Sequence, residues 1–499
     1  MQEMAGCDDR AGCINGSAGG ANGYMRDAFD ELGVAVPEVL IPASLAAGGS
    51  AEGSRLGGGT VGVGSIGGDP IGGMRACSAW PVVACDQHTS KPAYWAQAGA
   101  IVGGAPSTLR MIVPEAFLGD GFERRARAAC GAMRSYLRGG VFAEPYAGFV
   151  LTERRLEGGG TRLGLLVALD LERYDYSPGA RTLIRATEAT VPDRLPPRVR
   201  IRALSPIELP HTLVLVDDPK DILFAGLGAA KTRMRRLYDV GLMLGGGSVA
   251  GYAADGADIA AHVARSLAAL VRDRLLFAVG DGNHSLAAAK AHWDTLRGTL
   301  PPEGRASHPA RHALVEIVNI HSEGVVSEPI HRAVFGARAD ELAAALAAGL
   351  RGYYGQRGGA SIELGKEEFE SARAEGQASR REAWRYAFAY PILMPGGVPG
   401  ALTANSPANL LPVSELQAFL DAWLATRQDI RVDYVHGEEE LWRLAREEGC
   451  FCFLLPPLDK GALFSTVARG GMMPRKAFSM GRPQDKRYYL EARRIVPSV

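Results

Sequence analysis

Gly280, Asp281, Gly282, Asn283, His284 and Ser285 sit between an apolar run, Leu275 to Val279, and a helix-length segment reaching Leu296. Glycine lets a backbone approach a ligand closely or adopt positive φ. Asn283 or Ser285 can cap the helix that follows, and the first amides and dipole of such a helix favour a phosphate or carboxylate. His284 at the same mouth can donate to that anion or move a proton, and Asp281 adds a carboxylate. A carboxylate beside a histidine at a strand end recurs in acid/base and metal sites, although nothing here names a metal. The stretch matches neither GxxxxGK[ST] nor GxGxxG, so a tight turn with an N-cap explains it as readily as a ligand site does.

Other polar groups stand at predicted strand ends. Asp86 and His88 lie in the turn Cys85 to Ser90, after the apolar run Trp80 to Ala84. Glu188 lies in the segment Arg185 to Thr190, and Glu328, His331 and Arg332 punctuate Glu328 to Phe335. Met473 to Phe478 is a cationic turn containing Lys476. Each serves a cap, a surface or a salt bridge as well as it serves catalysis. Glu188 or Asp281 is the candidate general base, and spacing does not choose between them.

These residues need a scaffold of alternating strands and helices. Strands are predicted at Leu163 to Leu169, Leu213 to Val216, Leu275 to Val279, Leu314 to Ile320, Val432 to Val435 and Cys450 to Leu455. Helices are predicted at Gly121 to Leu137, Ile259 to Val271, Ser285 to Leu296, Ser414 to Ala425, Glu438 to Glu447 and Asp459 to Ala468, with Ser414 and Gln417 as a capping box. The class is α/β or α+β around a mixed sheet. The chain divides into an N-terminal docking segment, 1–46, a flexible Gly-rich insertion, 47–76, a main α/β domain, 77–335, and a C-terminal α/β lobe, 336–499. Within the insertion, residues 47 to 73 are dominated by Gly, Ala and Ser, which bury too little apolar surface to offset their ordering entropy. Phe29, Leu32, Val34, Val36 and Val39 to Ile41 are apolar enough to dock on the main body.

Lys plus Arg equals Asp plus Glu, at 55 each, so no overall charge draws the chain to nucleic acid. The seven cysteines lack paired CxxC spacing and read as reduced thiols. No apolar run approaches the ~18 residues of a membrane span, and no basic, apolar leader opens the sequence. A cytoplasmic protein without a membrane partner is expected, and an oligomer remains open.

The segments ACDQHTSKPAYW, RATEATVPDRLPPR, VGDGNHSLAAAKAHW, EPIHRAVF and MPRKAFSMG occur in an order that resembles the domain of unknown function 1015 family. Its DGNH turn is similar to the DGHHR turn of ADP-dependent free-serine kinases, of the ParB and sulfiredoxin fold group. The resemblance implies a nucleotide- or phosphate-binding core with its turn at Asp281 to His284. Asn283 stands in place of the first histidine and Ser285 in place of the arginine, which removes a forked phosphate ligand. Arg332 or Lys476 is then expected to supply that cation.

The leading expectation is a kinase-like phosphotransferase for a small hydroxylated metabolite, using ATP or ADP with Mg²⁺. A noncatalytic nucleotide-binding switch and a phosphoester hydrolase are the alternatives. Asp281, His284, Glu328, His331, Arg332 and Lys476 are expected to converge on one cleft.

Overall fold

The computed structural model describes residues 26–46, 78–354, 359–375, 380–382, 385–406 and 412–497, apart from the single positions 90, 120, 191, 459, 470 and 475. The insertion expected to be flexible lies outside the described residues. What is described is an α/β fold built on two large sheets.

The strand Thr161–Asp170 explains the first sheet. Its run LGLLVALD has no polar alternation, as suits a strand covered on both faces. Leu165, Val167 and Leu169 enter one core while Leu166 enters the opposite one. Across the sheet the order is Arg236–Leu242, Gly247–Ala254, Phe149–Arg155, Thr161–Asp170, His312–Asn319, Leu213–Val216, Phe277–Asp281, Ile184–Ala186 and Tyr174–Asp175. Directions are mixed. Leu213–Val216 runs parallel to His312–Asn319 and antiparallel to Phe277–Asp281, which in turn runs parallel to Ile184–Ala186.

Helices Ile222–Ala230, Ala257–Leu270 and Asn283–Arg297 cover one face through Phe224, Leu267 and Trp293. Helices Pro92–Val102 and Phe122–Arg138 cover part of the other through Trp95 and Met133. The rest of that face, including Leu213 and Leu215, packs against Tyr390, Phe451 and Phe453 of the second sheet. That sheet is antiparallel, in the order Gly359–Leu364, Val398–Ser406, Arg385–Met394, Phe451–Phe453, Ser327–Phe335 and Arg431–His436.

The strand expected to close the main domain at residue 335 pairs within the second sheet. Ser327–Phe335 belongs to the second sheet, and near the C-terminus Tyr488–Tyr489 and Arg493–Arg494 return to pair with Val82–Val83 and Ile207–Glu208. Apolar patterning marks a strand but not the sheet that supplies its partners. At the other end, Phe29, Leu32 and Val34 are buried and Val34–Ala35 pairs with Thr161–Asp170, whereas Val36 stays exposed. Cys85, Cys130, Cys450 and Cys452 are free thiols. Among the described residues no helix is long and apolar enough to cross a membrane.

Candidate functional site

Asp281 ends the strand Phe277–Asp281, and its parallel neighbour Ile184–Ala186 ends at the same sheet edge. Thr187 and Glu188 therefore leave the sheet beside Asp281. On the other side Leu213 pairs with Asp281 in antiparallel register, which brings His211 and Thr212 to that edge. Gly282 has φ 79, and a β-carbon there would meet Thr212 Oγ1 at 2.9 Å and Thr212 Cα at 3.1 Å. Both conformation and space demand glycine. The Gly282 N–H donates to Asp281 Oδ1 at 3.0 Å.

The helix Asn283–Arg297 begins two residues before the predicted Ser285, and no side chain caps it. Asn283 is turned back beneath the turn. Its Oδ1 accepts the Thr187 N–H at 3.3 Å and its Nδ2 donates to the Val279 carbonyl at 3.4 Å. The cap expected from Asn283 or Ser285 is thus replaced by a staple to the Glu188 segment.

The C-terminal chain delivers two lysines. The Met473 N–H donates to the Thr187 carbonyl at 2.7 Å, and Met473 bridges Glu188 in parallel, which sets Lys476 beside that carboxyl. Pairing of Tyr488–Tyr489 with Val82–Val83 sets Lys486 Nζ 3.1 Å from Asp281 Oδ2. The same pairing places the Cys85–Asp86 turn against Tyr489, whose hydroxyl accepts the Cys85 N–H at 3.2 Å.

These segments enclose a cavity of about 560 Å³. Asp281 to Ser285, Asp86, Glu188 and Lys476 line it, and His88, Glu328, His331 and Arg332 do not. Burial pushes the Glu188 carboxyl up to about 7, although Lys476 pulls against it. Burial opposes the Asp86 carboxylate too, yet His211, the Gln87 amide and Lys486 outweigh it and hold Asp86 below the usual range. Burial takes His284 down to about 4, helped by Arg198 and Arg194. It also lowers His211 despite the nearby carboxylates of Asp86 and Asp281. His211 Nδ1 lies 3.0 Å from the Tyr489 hydroxyl. The arrangement can hold an anion at the helix mouth and move a proton through Glu188.

The residues left out have other duties. Arg332 is fully buried; Nε donates to Gln417 Oε1 at 2.8 Å, Nη2 donates to the Lys476 carbonyl at 3.0 Å, and its guanidinium stacks 4.6 Å from the Tyr434 ring centre. It fastens the cavity wall from behind. Gln417 spends its amide on this contact and on Asp421 and Tyr434, not on the capping box expected with Ser414. His331 Nδ1 accepts the Leu455 N–H at 3.0 Å. Glu328 lies in the strand that pairs with Ser479, and His88 stacks on Tyr94 with ring centres 3.7 Å apart. The expected convergence therefore reduces to Asp281, His284 and Lys476.

Among the cavity's lining residues, Arg194, Arg198, His211 and Lys486 were not expected from the sequence. The arginines carried a signal, since Arg194, Arg198 and Arg202 recur every four residues and so share one helix face. Arg200, off that face, reaches Glu123 at 3.1 Å. His211 and Lys486 carried none; strand register alone brings them in.

The profile of a family described as "Protein of unknown function (DUF1015)" matches residues 69–393. A search of curated proteins finds no match. Among solved structures, a conserved hypothetical protein from Pyrococcus furiosus is similar at 13% identity and TM-score 0.33, over 66% of this chain and 90% of that one. A free serine kinase in complex with AMP is similar at 12% identity and TM-score 0.35, over 65% and 90%. SbnI from Staphylococcus aureus, truncated at its C-terminus, is similar at 10% identity and TM-score 0.28, over 63% and 81%.

Proposed function

The chain belongs to the DUF1015 family of proteins of unknown function, and we propose that it is a nucleotide-dependent phosphotransferase acting on a small hydroxylated metabolite. One observation carries this reading: a single cavity holds a helix N-terminus, the cations Lys476, Arg194 and Arg198, and a carboxyl, Glu188, poised at about 7. Phosphoryl transfer asks the protein mainly for positioning and charge neutralisation. The first amides of the helix Asn283–Arg297 and Lys476 hold the phosphate, and Arg194 and Arg198 take the place of the arginine that Ser285 lacks. Glu188 accepts the proton of the attacking hydroxyl. Kinship with the ParB and sulfiredoxin fold group, drawn from the Asp281 to His284 turn, is part of this proposal.

Among the described residues no group of three or more His, Cys, Asp or Glu side chains is placed to hold a metal ion. Mg²⁺ commonly takes only one or two carboxylates and completes its shell with phosphate oxygens and water, so the site fits an ion that arrives with the nucleotide. Asp86, whose pKa lies below the usual carboxylate range, is the group that would share it. Bound there, the ion would neutralise charge on the phosphates. Incubating the chain with ATP or ADP, Mg²⁺ and hydroxylated metabolites such as serine, and following phosphorus by NMR, tests the reading. A new phosphoester is expected. Binding without product would leave a nucleotide switch, release of inorganic phosphate a hydrolase, and no nucleotide-induced rise in melting temperature would remove the proposal.

A further inference from the structure

We propose that Thr187 is a positioning residue of this site: with Asn283 it holds the Glu188 carboxyl, the helix mouth at Gly282 to Ser285 and the Lys476 turn in one register. This rests on the reading of Glu188 as the base of a phosphotransfer. Thr187 is fully buried and does not line the cavity, so it acts through its neighbours.

Each polar group of Thr187 meets a different part of the cavity's frame. Its hydroxyl donates to the Val279 carbonyl at 2.6 Å, in the strand that ends at Asp281. Its N–H donates to Asn283 Oδ1 at 3.3 Å, and Asn283 Nδ2 returns a bond to the Thr187 hydroxyl oxygen at 3.4 Å. That exchange ties Thr187 to the first residue of the helix Asn283–Arg297. Its carbonyl accepts the Met473 N–H at 2.7 Å, in the segment that leads into Lys476. The next residue along the chain is Glu188, whose carboxyl accepts the Lys476 N–H. A buried threonine needs partners wherever it sits; here every partner belongs to a segment that also carries a cavity residue.

The side chains suit a stiff clamp. Asn283 carries a donor and an acceptor on one planar amide, so it takes the Thr187 N–H and serves the hydroxyl at once, which neither a carboxylate nor an alkyl group does. Branching at the β-carbon leaves Thr187 few rotamers. The charged groups that face Glu188 are Lys476, Asp281 and Lys486, and the last two pair with each other at 3.1 Å. Exclusion of water therefore dominates at this carboxyl, with Lys476 opposing it. A clamp that slackens lets the half-buried carboxyl reach water, and its proton affinity then falls toward the ordinary carboxylate range. Misplacement by about 1 Å is enough to slow a positioned reaction about 10²-fold.

Infrared titration of the full chain, each form read against its Glu188→Gln counterpart, reports this carboxyl directly and needs no turnover. Thr187→Val keeps the shape and removes the hydroxyl. Asn283→Ala removes the amide bonds, and decides the matter if Thr187→Val does not fold. In each, the Glu188 titration is expected to move from about 7 down toward the ordinary carboxylate range, and Thr187→Ser, which keeps the hydroxyl, to hold it at about 7. The bond from Met473 is to backbone and survives, so affinity for inorganic phosphate should persist. Phosphotransfer kcat should fall about 10²-fold in Thr187→Val with nucleotide KM unchanged. A titration that stays near 7 in either folded variant overturns the clamp, even where urea midpoints fall as a purely structural role requires. So does one that moves in Thr187→Ser as far as in Thr187→Val, or one that lies in the ordinary range in the unaltered chain. Absence of phosphotransfer by the unaltered chain strikes the reading of the reaction and leaves the infrared result to decide the clamp.

Discussion

In the proposed reaction, Glu188 is the residue on which the chemistry would turn. Half-buried at the sheet edge, it holds its proton up to about 7, where a carboxyl is half ionised and serves as base as readily as acid. A base must lose its proton to act, so the phosphotransfer rate should rise with pH along a limb centred near 7. Glu188→Gln should abolish that limb and lower kcat by roughly 10²- to 10⁴-fold. His284, held at about 4, is neutral throughout this range, and His284→Asn should leave the limb in place. A pH–rate profile of the three proteins checks both statements, and a limb near 7 surviving in Glu188→Gln would put the base elsewhere. Asp281, the other candidate base, is occupied by Lys486 at 3.1 Å, which favours Glu188 for a reason that spacing in the sequence does not contain.

The strand Ser327–Phe335 and the turn carrying Lys476 behave as one element because Arg332 joins them to Gln417 of the helix Pro412–Leu424. Hydrogen bonds from a charged donor contribute about 1.5–3 kcal/mol each, and removing the donor leaves buried acceptors unmet. Arg332→Ala is therefore expected to lower unfolding free energy by about 2–4 kcal/mol. Phosphate affinity should fall with it, since the Lys476 backbone is held at φ 58 and its carbonyl accepts from the Arg332 guanidinium. Lys476→Ala should lower phosphate affinity with little change in stability. Urea unfolding and phosphate titration of both variants separate the two roles, and an Arg332→Ala protein of full stability would contradict the fastening role. The elements themselves were legible: Leu213–Val216 and Glu438–Glu447 fall on their predicted bounds. The duty of Arg332 was not, because a cation in a strand pattern reads as a site or a surface until its partners are known.

At the scale of the molecule, burial leaves His284, His292, His312 and His331 at about 4, against about 6.5 in an unfolded chain. Between those values the unfolded chain binds protons that the folded one refuses, so stability should fall as pH drops from about 6.5 toward 4. For His331, 6% exposed and accepting the Leu455 N–H, the loss is on the order of 3 kcal/mol. Urea midpoints measured from pH 7.5 to 4.5 should decline across that window and decline less in His331→Asn; a flat profile would count against buried neutral histidines. The amino-acid sequence by itself determined six strands and six helices, the α/β class, the glycine turn at Asp281 to His284 and the family resemblance, because periodicity, turn glycines and short motifs are written in neighbouring residues; strands such as Phe149–Arg155, Gly247–Ala254 and Arg385–Met394 were not read from it. Only the tertiary structure decided which polar groups share a cavity. It admitted His211 and Lys486 through strand register, brought Arg194 and Arg198 in on a packed helix, and withdrew Arg332 and His331 into the protein. Pairing between segments hundreds of residues apart is set by the cores on the two faces of the sheet, and no local pattern in this chain encodes it.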